Sequence, residues 1–253
     1  MPKKRIDMIL DILNEQGYVT VKYLTEQLHF STATINRDLN LLQKQQLIHR
    51  HYGGAELVKA QSTPLVFRYH KMRPVKKLIG KKAAELIKDG QTIFIDASTT
   101  AQCLAPYITN LKHLTVITNN MTLASHLSEH NINCICLGGR IVEVPFMLGG
   151  IDTETQARSY TADIMFFSTS GISESGKIYD DDTYLNLHRI MTENSKQVVY
   201  LADHNKLNVH TGRILFDLSG VDAIVTDHVF KSETMEKFHR TKFITVETPK
   251  TQR

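Results

Sequence analysis

STATINRDLNLLQKQQLIHRHYGG, residues 31–54, combines a helical pattern with a glycine-rich turn. Ser31 is a suitable N-cap, and Ile35, Leu39 and Leu42 follow at spacings that place them on one face of a helix. The opposite face carries short polar and basic side chains of the kind that fit the major groove of DNA, where Arg pairs with guanine and Asn with adenine. The residues of this helix that we expect to contact DNA are Thr32, Ala33, Thr34, Asn36, Arg37 and Asn40.

The residues on either side of this helix predict a winged helix-turn-helix. Apolar stripes at helical spacing between residues 6 and 28 predict two more short helices that share its core. Residues 47–50 and 55–58 flank the turn HYGG, a hairpin signal with glycines where positive φ is needed. This wing would lay Arg50 and His51 against the phosphates of DNA. The alternative is a three-helix interaction domain whose exposed Arg and Asn side chains are merely solvated.

The segment TINRDLNLLQKQQLIHRHYGGA resembles the signature of the DeoR family of bacterial transcription regulators. That signature runs S-x-x-T-I-R-R-D-L, then a leucine-rich stretch, then I-x-R-x-x-G-G-A. This chain departs from it at Asn36, where the family usually has the first of two arginines. The resemblance implies DNA binding, and the departure bears on which operator sequence is read.

Length and composition favour a small domain followed by a larger one. A chain of 253 residues that is 42% hydrophobic exceeds the usual size of a single domain. No segment approaches the roughly 18 to 20 consecutive apolar residues that span a bilayer. The N-terminus is unlike a secretory signal, because Asp7 and Asp11 interrupt its apolar positions. We therefore expect a cytoplasmic protein without a membrane partner.

The sequence predicts no metal site and no cofactor. Cys103, Cys134 and Cys136 cannot all pair and lack the spacing of a zinc site, so buried free thiols are expected. The acidic run at residues 180–182 lies in a predicted loop before a helix, where consecutive carboxylates usually cap the helix and are solvated.

Charge is unevenly distributed along the chain. The first 82 residues carry a formal charge of +9 and the whole chain +4, so the remainder carries −5. A basic N-terminal part fits nucleic-acid binding by one end only. We predict a winged helix-turn-helix domain at residues 1–60 (helix-turn-helix 20–39, wing 47–58), a basic linker at 61–82 that does not pack as core, and a sensor domain at 75–253.

From residue 75 onward, short β-rich runs alternate with helical stretches. This alternation predicts a Rossmann-like α/β domain with a mostly parallel sheet, in which ligands bind at the carboxyl ends of the strands. A helix is predicted at residues 76–88. The predicted strands are 92–96, 114–117, 132–137, 164–168, 197–201, 223–226 and 243–246.

Polar loops come directly after three consecutive predicted strands. Hydroxyl and backbone N–H groups at the start of a helix can hold a phosphate, and glycines permit close approach of a ligand. A cluster of this kind after one strand is more often a helix cap, but three in succession favour a binding site. The loop residues are Asp96, Ser98, Thr99 and Thr100, then Asn119 and Asn120, then Gly138 and Gly139.

The DeoR resemblance extends to these loops. The family patterns D-x-G-T-T, V-x-T-N-S, G-G and L-A-D-x-x-K match at residues 96–100, 116–120, 138–139 and 201–206. Members of the family carry a C-terminal sensor domain that is similar in fold to ribose-5-phosphate isomerase and that typically binds a phosphorylated sugar or related metabolite. The resemblance therefore implies an effector site at these strand ends, with Lys76 as a further contact.

Two features of the expected pocket concern single residues. Lys206 lies in a loop after a predicted strand, where a cation can pair with a phosphate, although a surface ion pair is the alternative. The chain also departs from the family pattern within the pocket. Ser98 and Ser168 replace usual glycines, and Tyr184 and His188 stand where Glu and Lys are common.

The leading interpretation is a DNA-binding transcription regulator, of the repressor type most frequent in the family, that controls a sugar catabolism operon. A phosphorylated sugar on the C-terminal domain would change its affinity for double-stranded operator DNA. The alternative is a sugar-phosphate isomerase with an accessory DNA-binding domain, using Asp96 or Asp163 as base and Lys206 as phosphate clamp. No recognisable catalytic pairing accompanies these residues, so no catalytic residue is expected.

Helix-turn-helix proteins commonly bind paired half-sites as dimers. We therefore expect a homo-oligomer, in which the sensor domain changes the spacing or orientation of paired DNA-binding domains rather than the recognition helix itself.

Overall fold

A computed structural model describes residues 5–16, 18–44, 47–57, 68, 71–143 and 147–247. The chain divides into two compact units, Met1–Lys71 and Met72–Arg253. Among the described helices, none has both the length and the hydrophobicity that crossing a membrane would require.

The N-terminal unit consists of three helices and a three-stranded antiparallel sheet. The strands lie in the order β1, β3, β2. Its core is formed by the apolar stripes of the helices together with residues of the sheet, as the spacing of the stripes predicts. The elements are α1 (Arg5–Gln16), β1 (Tyr18–Thr20), α2 (Val21–Leu28), α3 (Thr32–Lys44), β2 (Ile48–His51) and β3 (Gly54–Leu57).

Helix α3 forms as its sequence predicts. The backbone N–H of Thr34 donates to the Ser31 hydroxyl at 3.3 Å, so Ser31 satisfies one of the free N–H groups at the helix start. Ile35, Leu39 and Leu42 are fully buried. The Arg5 guanidinium of α1 pairs with the buried Asp38 carboxylate through two nitrogens, which fixes α1 against α3.

The wing is a hairpin of β2 and β3, and its two glycines have different roles. Gly53 has a φ of +80°, as a tight hairpin turn requires. The hairpin pattern predicts positive φ at Gly54 as well, but Gly54 is needed for close packing instead. A Cβ at Gly54 would lie 2.4 Å from the Tyr18 hydroxyl oxygen and 2.5 Å from the Val19 carbonyl oxygen, because β1 pairs closely with β3. Residue 58 of the predicted wing lies outside the described residues.

The C-terminal unit is an α/β domain. Its larger elements are α4 (Arg73–Ala84), β4 (Thr92–Ile95), α5 (Ala105–Ile108), β5 (Thr115–Thr118), α6 (Met121–Glu129), β6 (Asn133–Cys136), β7 (Arg140–Glu143), β8 (Met147–Gly149), α7 (Ile151–Arg158), β9 (Ala162–Phe167), β10 (Gly171–Ile172), β11 (Lys177–Asp180), α8 (Asp182–Glu193), β12 (Ser195–Ala202), β13 (Arg213–Asp217), β14 (Ala223–Thr226), α9 (Ser232–Lys237) and β15 (Lys242–Thr245).

Seven of these strands form one parallel sheet in the order β15, β14, β12, β9, β4, β5, β6. They coincide, within one or two residues at each end, with the seven strands predicted from sequence. From β4 the chain proceeds to β5 and β6 on one side, and β9 then pairs on the other side of β4. This reversal makes the carboxyl ends of β4 and β9 a topological switch point, where open α/β sheets typically bind ligands.

The predicted linker differs from what the structure shows at its C-terminal end. Residues 61–67, 69 and 70 lie outside the described residues. Arg73–Ala84 form α4, and Val75, Lys76 and Ile79 of that helix are buried, with Val75 and Ile79 in the sensor core. Lys77 and Lys81 are exposed on the other face, so one face of residues 73–82 packs as core although a solvated linker is expected there. The helix predicted at 76–88 forms, but it begins at Arg73 and ends at Ala84.

Two smaller features also differ from expectation. The sequence does not predict the β7–β8 hairpin or the sheet of β10, β11 and β13, because their strands are short and lack a long apolar run. All three cysteines are free, as expected, but Cys103 and Cys134 are only partly buried and Cys136 is exposed. It lies on β6, the edge strand of the parallel sheet, which has a neighbour on one side only.

Candidate functional sites

The outer face of α3 is the candidate DNA-reading surface. Thr32, Ala33, Arg37 and Asn40 are exposed, and Thr34 and Asn36 are partly exposed. Asn36 and Asn40 are one helical turn apart and lie on the same side of α3. All six residues that the sequence predicts for base contact thus retain access to solvent.

Arg50 of the wing is joined to this face. One terminal nitrogen of its guanidinium donates to Asn40 Oδ1 and the other to Asn36 Oδ1, each at 2.7 Å. His51 Nε2 lies 2.9 Å from Glu56 Oε1 on the neighbouring strand. The sequence predicts phosphate contacts for Arg50 and His51, and the structure shows both side chains engaged within the N-terminal unit.

The second candidate site lies at the carboxyl ends of the parallel strands. Asp96, Ser98, Thr99 and Thr100 come after β4, and Asn119 and Asn120 come after β5, its neighbour. All six are buried although they are polar. Two further buried polar residues, Ser168 and Thr169, come after β9 on the other side of β4. Polar groups from three adjacent strand ends therefore converge at the switch point.

Asp96 is the centre of a buried network. One of its carboxylate oxygens accepts a hydrogen bond from the Ser98 hydroxyl at 2.6 Å. The other accepts from the Ser168 backbone N–H at 3.4 Å and lies 3.1 Å from His188 Nε2. The other ring nitrogen of His188 lies 2.5 Å from Asp180 Oδ2. His188 on α8 thus connects the end of β4 to the end of β11.

Both ring nitrogens of His188 face a carboxylate oxygen, an arrangement that favours the imidazolium form because a carboxylate accepts hydrogen bonds. Burial lowers the pKa of His188, whereas the nearby charges and hydrogen bonds of Asp180 and Asp96 raise it, and the net result is a pKa raised from 6.5 to about 10. Asp180, His188 and Asp96 are each no more than 5% exposed, so the one positive charge offsets part of the two negative charges in the interior.

Two lysines flank the network. The Lys76 ammonium on α4 donates to the Thr99 hydroxyl at 2.9 Å in a buried position. The Lys206 ammonium donates to the Thr169 carbonyl oxygen and so reaches the end of β9. Both cations predicted from sequence therefore lie at the carboxyl ends of the strands, beside loops that also carry hydroxyl groups.

Three buried polar atoms in these loops have no hydrogen-bond partner among the residues that the structure describes: Thr100 Oγ1, Asn119 Oδ1 and Asn120 Nδ2. The other side-chain polar atoms of the two asparagines are engaged. Asn119 Nδ2 donates to the Leu148 carbonyl, and Asn120 Oδ1 accepts from the Leu123 N–H as the cap of α6. An unsatisfied buried polar atom is costly, so three of them at adjacent strand ends indicate a place for a polar ligand.

Gly138 and Gly139 have a packing role. The Gly138 N–H donates to Gln156 Oε1 and its carbonyl accepts from the Thr153 hydroxyl. A Cβ on Gly139 would lie 2.1 Å from that hydroxyl oxygen, and Gly139 has a φ of +146°. The close approach that these glycines permit is thus to helix α7, and the structure shows no comparable reason to assign them to a ligand.

Asp163, the other base of the isomerase alternative, lies at the amino ends of the parallel strands, opposite to the candidate site. It is near the amino end of β9, where it accepts from the Thr92 N–H and pairs with Lys196 at 2.8 Å. In a parallel sheet the amino ends of the strands are a full strand length from the carboxyl ends, where Asp96 and Lys206 lie. That alternative therefore loses one of its two candidate bases.

Sequence reasoning misses Asp180 and Thr169 as site residues, and it marks Ser168 and His188 only as departures from the family pattern within the expected pocket. The acidic run that contains Asp180 is expected to be solvated, yet Asp180 is buried. Only Asp181 has the expected capping role, accepting from the Thr183 N–H at 2.9 Å. The signal that points to the pair is the replacement of a usual Lys by His, eight residues after an Asp.

Comparisons with known proteins agree with this architecture. Residues 5–61 match the model of the DeoR-like helix-turn-helix domain, and residues 72–228 match that of the DeoR C terminal sensor domain. The transcriptional regulator GolR of Listeria innocua is 31% identical over 241 residues, covering 94% of this chain and 95% of its own. The glycerol-3-phosphate regulon repressor of Escherichia coli is 33% identical over 227 residues, covering 88% and 90%.

A ribose 5 phosphate isomerase A from Neisseria gonorrhoeae is a structural neighbour. It is 14% identical, covers 53% of each chain and has a TM-score of 0.39.

Proposed function

The chain belongs to the DeoR family of transcription regulators. From this premise we propose that it represses a sugar catabolism operon, and that a phosphorylated sugar changes its affinity for the operator. It is a DNA-binding regulator and not an enzyme, as the two family domains and the named relatives show. The sugar-phosphate isomerase alternative is thereby set aside.

The effector assignment rests on the buried polar atoms at the ends of β4 and β5 that have no hydrogen-bond partner among the described residues. Thr100 Oγ1, Asn119 Oδ1 and Asn120 Nδ2 are buried, and Thr99, which precedes Thr100, accepts a hydrogen bond from the Lys76 ammonium. A sugar phosphate offers hydroxyls and phosphate oxygens, which complement two acceptor-capable oxygens, an amide donor and a nearby ammonium.

The residues of this pocket have different proposed roles. Asp96 is committed to Ser98, Ser168 and His188 and therefore positions the loops, with capacity left for one ligand hydroxyl. Lys76 and Lys206 supply positive charge for the phosphate. The remaining proposed effector contacts are Ser98, Thr99, Thr100, Asn119 and Asn120.

We propose that the outer face of α3 reads the operator, through Thr32, Ala33, Thr34, Asn36, Arg37 and Asn40, and that Arg50 and His51 of the wing support it. Paired half-sites would be bound by a homo-oligomer, as is common for helix-turn-helix proteins. Binding to operator DNA also supports a cytoplasmic location for the protein. Coupling between effector and operator is typically about 1–3 kcal/mol, so the effector should change operator affinity roughly 5- to 150-fold.

The effector assignment is tested with Thr100→Val, which removes an unpartnered hydroxyl and keeps the side-chain shape. Thermal unfolding is measured with a panel of sugar phosphates, each beside its unphosphorylated sugar. A phosphosugar that binds the native protein raises the melting temperature. We expect Thr100→Val to leave the melting temperature of the protein alone unchanged or higher, because an unsatisfied polar atom is lost. The ligand-induced shift should fall sharply.

The matched control is Thr241→Val. Its hydroxyl is also buried but lies within hydrogen-bond distance of the Leu218 and Val221 carbonyl oxygens. This variant should lower stability by about 1–3 kcal/mol and keep the ligand-induced shift. A full shift in Thr100→Val would place the effector elsewhere, and an equal shift with the unphosphorylated sugar would remove the phosphate from the proposal.

A further inference from the structure

Arg50 forms a bridge of two hydrogen bonds, one to Asn36 and one to Asn40, and this bridge affects which bases the protein can recognise. It joins the wing to two neighbouring residues on the reading face of α3, with both contacts at 2.7 Å. The wing itself is anchored, since β3 pairs with β1 and β2, and the Leu47 N–H donates to the Leu42 carbonyl at the end of α3. Arg50 is therefore held at a fixed place relative to both asparagines.

The chemistry of the guanidinium determines how the two amides are turned. Arginine carries five N–H donors and no acceptor. The atom that each asparagine presents to it must therefore be the amide oxygen, and the NH₂ group of each amide points away from Arg50. Asn36 and Asn40 are one turn apart on α3, so the reading face carries two amide donors in succession, next to the exposed donor side chain of Arg37.

This orientation changes what an asparagine can recognise. Pairing of Asn with adenine uses both amide atoms, the oxygen accepting from N6 and the nitrogen donating to N7. Arg50 occupies one of the two acceptor positions of each amide oxygen and so opposes the rotation that would aim both amide atoms at one base edge. The NH₂ group stays free to donate, and a donor requires an acceptor on the base. In the major groove guanine presents two acceptors, adenine and thymine present one each, and cytosine presents only a donor.

We propose that Arg50 is a positioning residue for sequence recognition: it fixes Asn36 and Asn40 as hydrogen-bond donors, so that the positions they contact disfavour cytosine, which offers no acceptor, and give adenine no bidentate advantage over guanine and thymine. This inference rests on the proposed function in taking α3 as the reading helix. It differs from a phosphate role for Arg50, which would be blind to sequence.

The test is selection of binding sites from a randomised double-stranded DNA library by the full-length protein, followed by titration of the selected sites at several salt concentrations. Arg50→Met keeps the aliphatic stem and removes all donors, which frees both amides to rotate. At the positions that Asn36→Ala and Asn40→Ala identify, we expect Arg50→Met to relax the discrimination against cytosine and to raise the preference for adenine over guanine and thymine by up to about 5- to 150-fold, the worth of a bidentate pair.

Arg50→Lys separates charge from geometry. It keeps the positive charge but is a point donor in place of a planar fork and cannot hold both amides in the same way. It should retain the salt dependence of binding while relaxing base preference at one or both positions. Lys44→Met is the matched control, because Lys44 is an exposed cation at the end of the same helix. It should weaken all sequences alike, if it acts at all, and leave base preference unchanged.

The outcomes are distinguishable. If Arg50→Met weakens all sites equally, lowers the salt slope and keeps the base preferences, Arg50 is a phosphate contact and the inference is wrong, while the proposed function stands. A preference for cytosine or a strong preference for adenine at the two positions in the unmodified protein overturns it as well. If the unmodified protein selects no sequence, or the α3 variants change nothing, the proposed function itself fails.

Discussion

Each unit of the molecule contains a cation that joins two polar side chains, and the two bridges lie in opposite surroundings. Arg50 joins two neutral amides at the surface of the N-terminal unit. His188 joins two carboxylates in the interior of the C-terminal unit. A surface bridge adds little to stability because water competes for the same groups, whereas a buried charge without its partner is costly. We therefore expect the same bonding pattern to act in recognition at the surface and in stability of the fold in the interior.

The largest effect is expected from removing the buried cation. His188→Ala leaves Asp96 and Asp180 as uncompensated carboxylates in the interior and should lower the free energy of unfolding by about 3–5 kcal/mol. Urea unfolding measures the loss. Adding Asp180→Asn removes one of the two charges and should recover part of it. A loss below about 1 kcal/mol in the single variant would contradict a charge-compensating role for His188.

The buried bridge also predicts a pH dependence with a definite sign. The folded-state pKa of His188, about 10, lies above the ordinary value of 6.5, so folding favours the protonated ring. Its contribution to stability is complete below pH 6.5 and declines as the pH rises toward 10. The neutral variant His188→Gln should therefore lose less stability than the unmodified protein between about pH 6 and about pH 9 in urea unfolding.

Equal losses in the two proteins would show that other groups cause the alkaline decline. The groups around the ring are the carboxylates of Asp96 and Asp180 and the aromatic ring of Phe167, whose centroid is 5.5 Å away. The comparison between the two proteins cancels the titration of lysines, tyrosines and thiols that both share.

The exposed face of α3 should give the opposite result, a loss of DNA binding without loss of stability. Arg37 is exposed, and Arg37→Ala should lower operator affinity by about 1–3 kcal/mol if it contacts a base. The free energy of unfolding should stay within about 0.5 kcal/mol. Titration of operator and random DNA at several salt concentrations separates a base contact, which affects the operator alone, from a phosphate contact, which affects both.

The sequence is sufficient for the framework of both units. All seven strands of the parallel sheet are short apolar runs bounded by polar loops, and the buried residues of α3 recur at a helical period, so local patterns identify them. The hairpin of β7 and β8 and the sheet of β10, β11 and β13 escape prediction, because strands of two to five residues carry little local signal.

The candidate sites, too, can be predicted from the sequence only in part. Residues at the strand ends can be predicted because the position of a strand determines which loop residues lie at its carboxyl end. The bond from His188 to Asp96 spans 92 residues of sequence, and no local pattern brings the two together. The Arg50 bridge spans 14 and 10 residues, but it depends on the wing folding back over α3. Contacts between side chains of different elements are set by packing, which sequence spacing does not report.

The smallest effect is the one that most sharpens the contrast between the two bridges. Arg50→Met removes two hydrogen bonds, yet the amides of Asn36 and Asn40 are accessible enough to bond water instead, so no buried polar group is left unsatisfied. The free energy of unfolding of the full-length protein should change by less than about 0.5 kcal/mol, in the same urea titration in which His188→Ala loses several. A loss of about 2 kcal/mol or more would mean that Arg50 holds the wing to the helix as a structural element. Any altered base preference would then report a displaced wing. A stability change near zero together with relaxed base preference leaves orientation of the two amides as the physical cause.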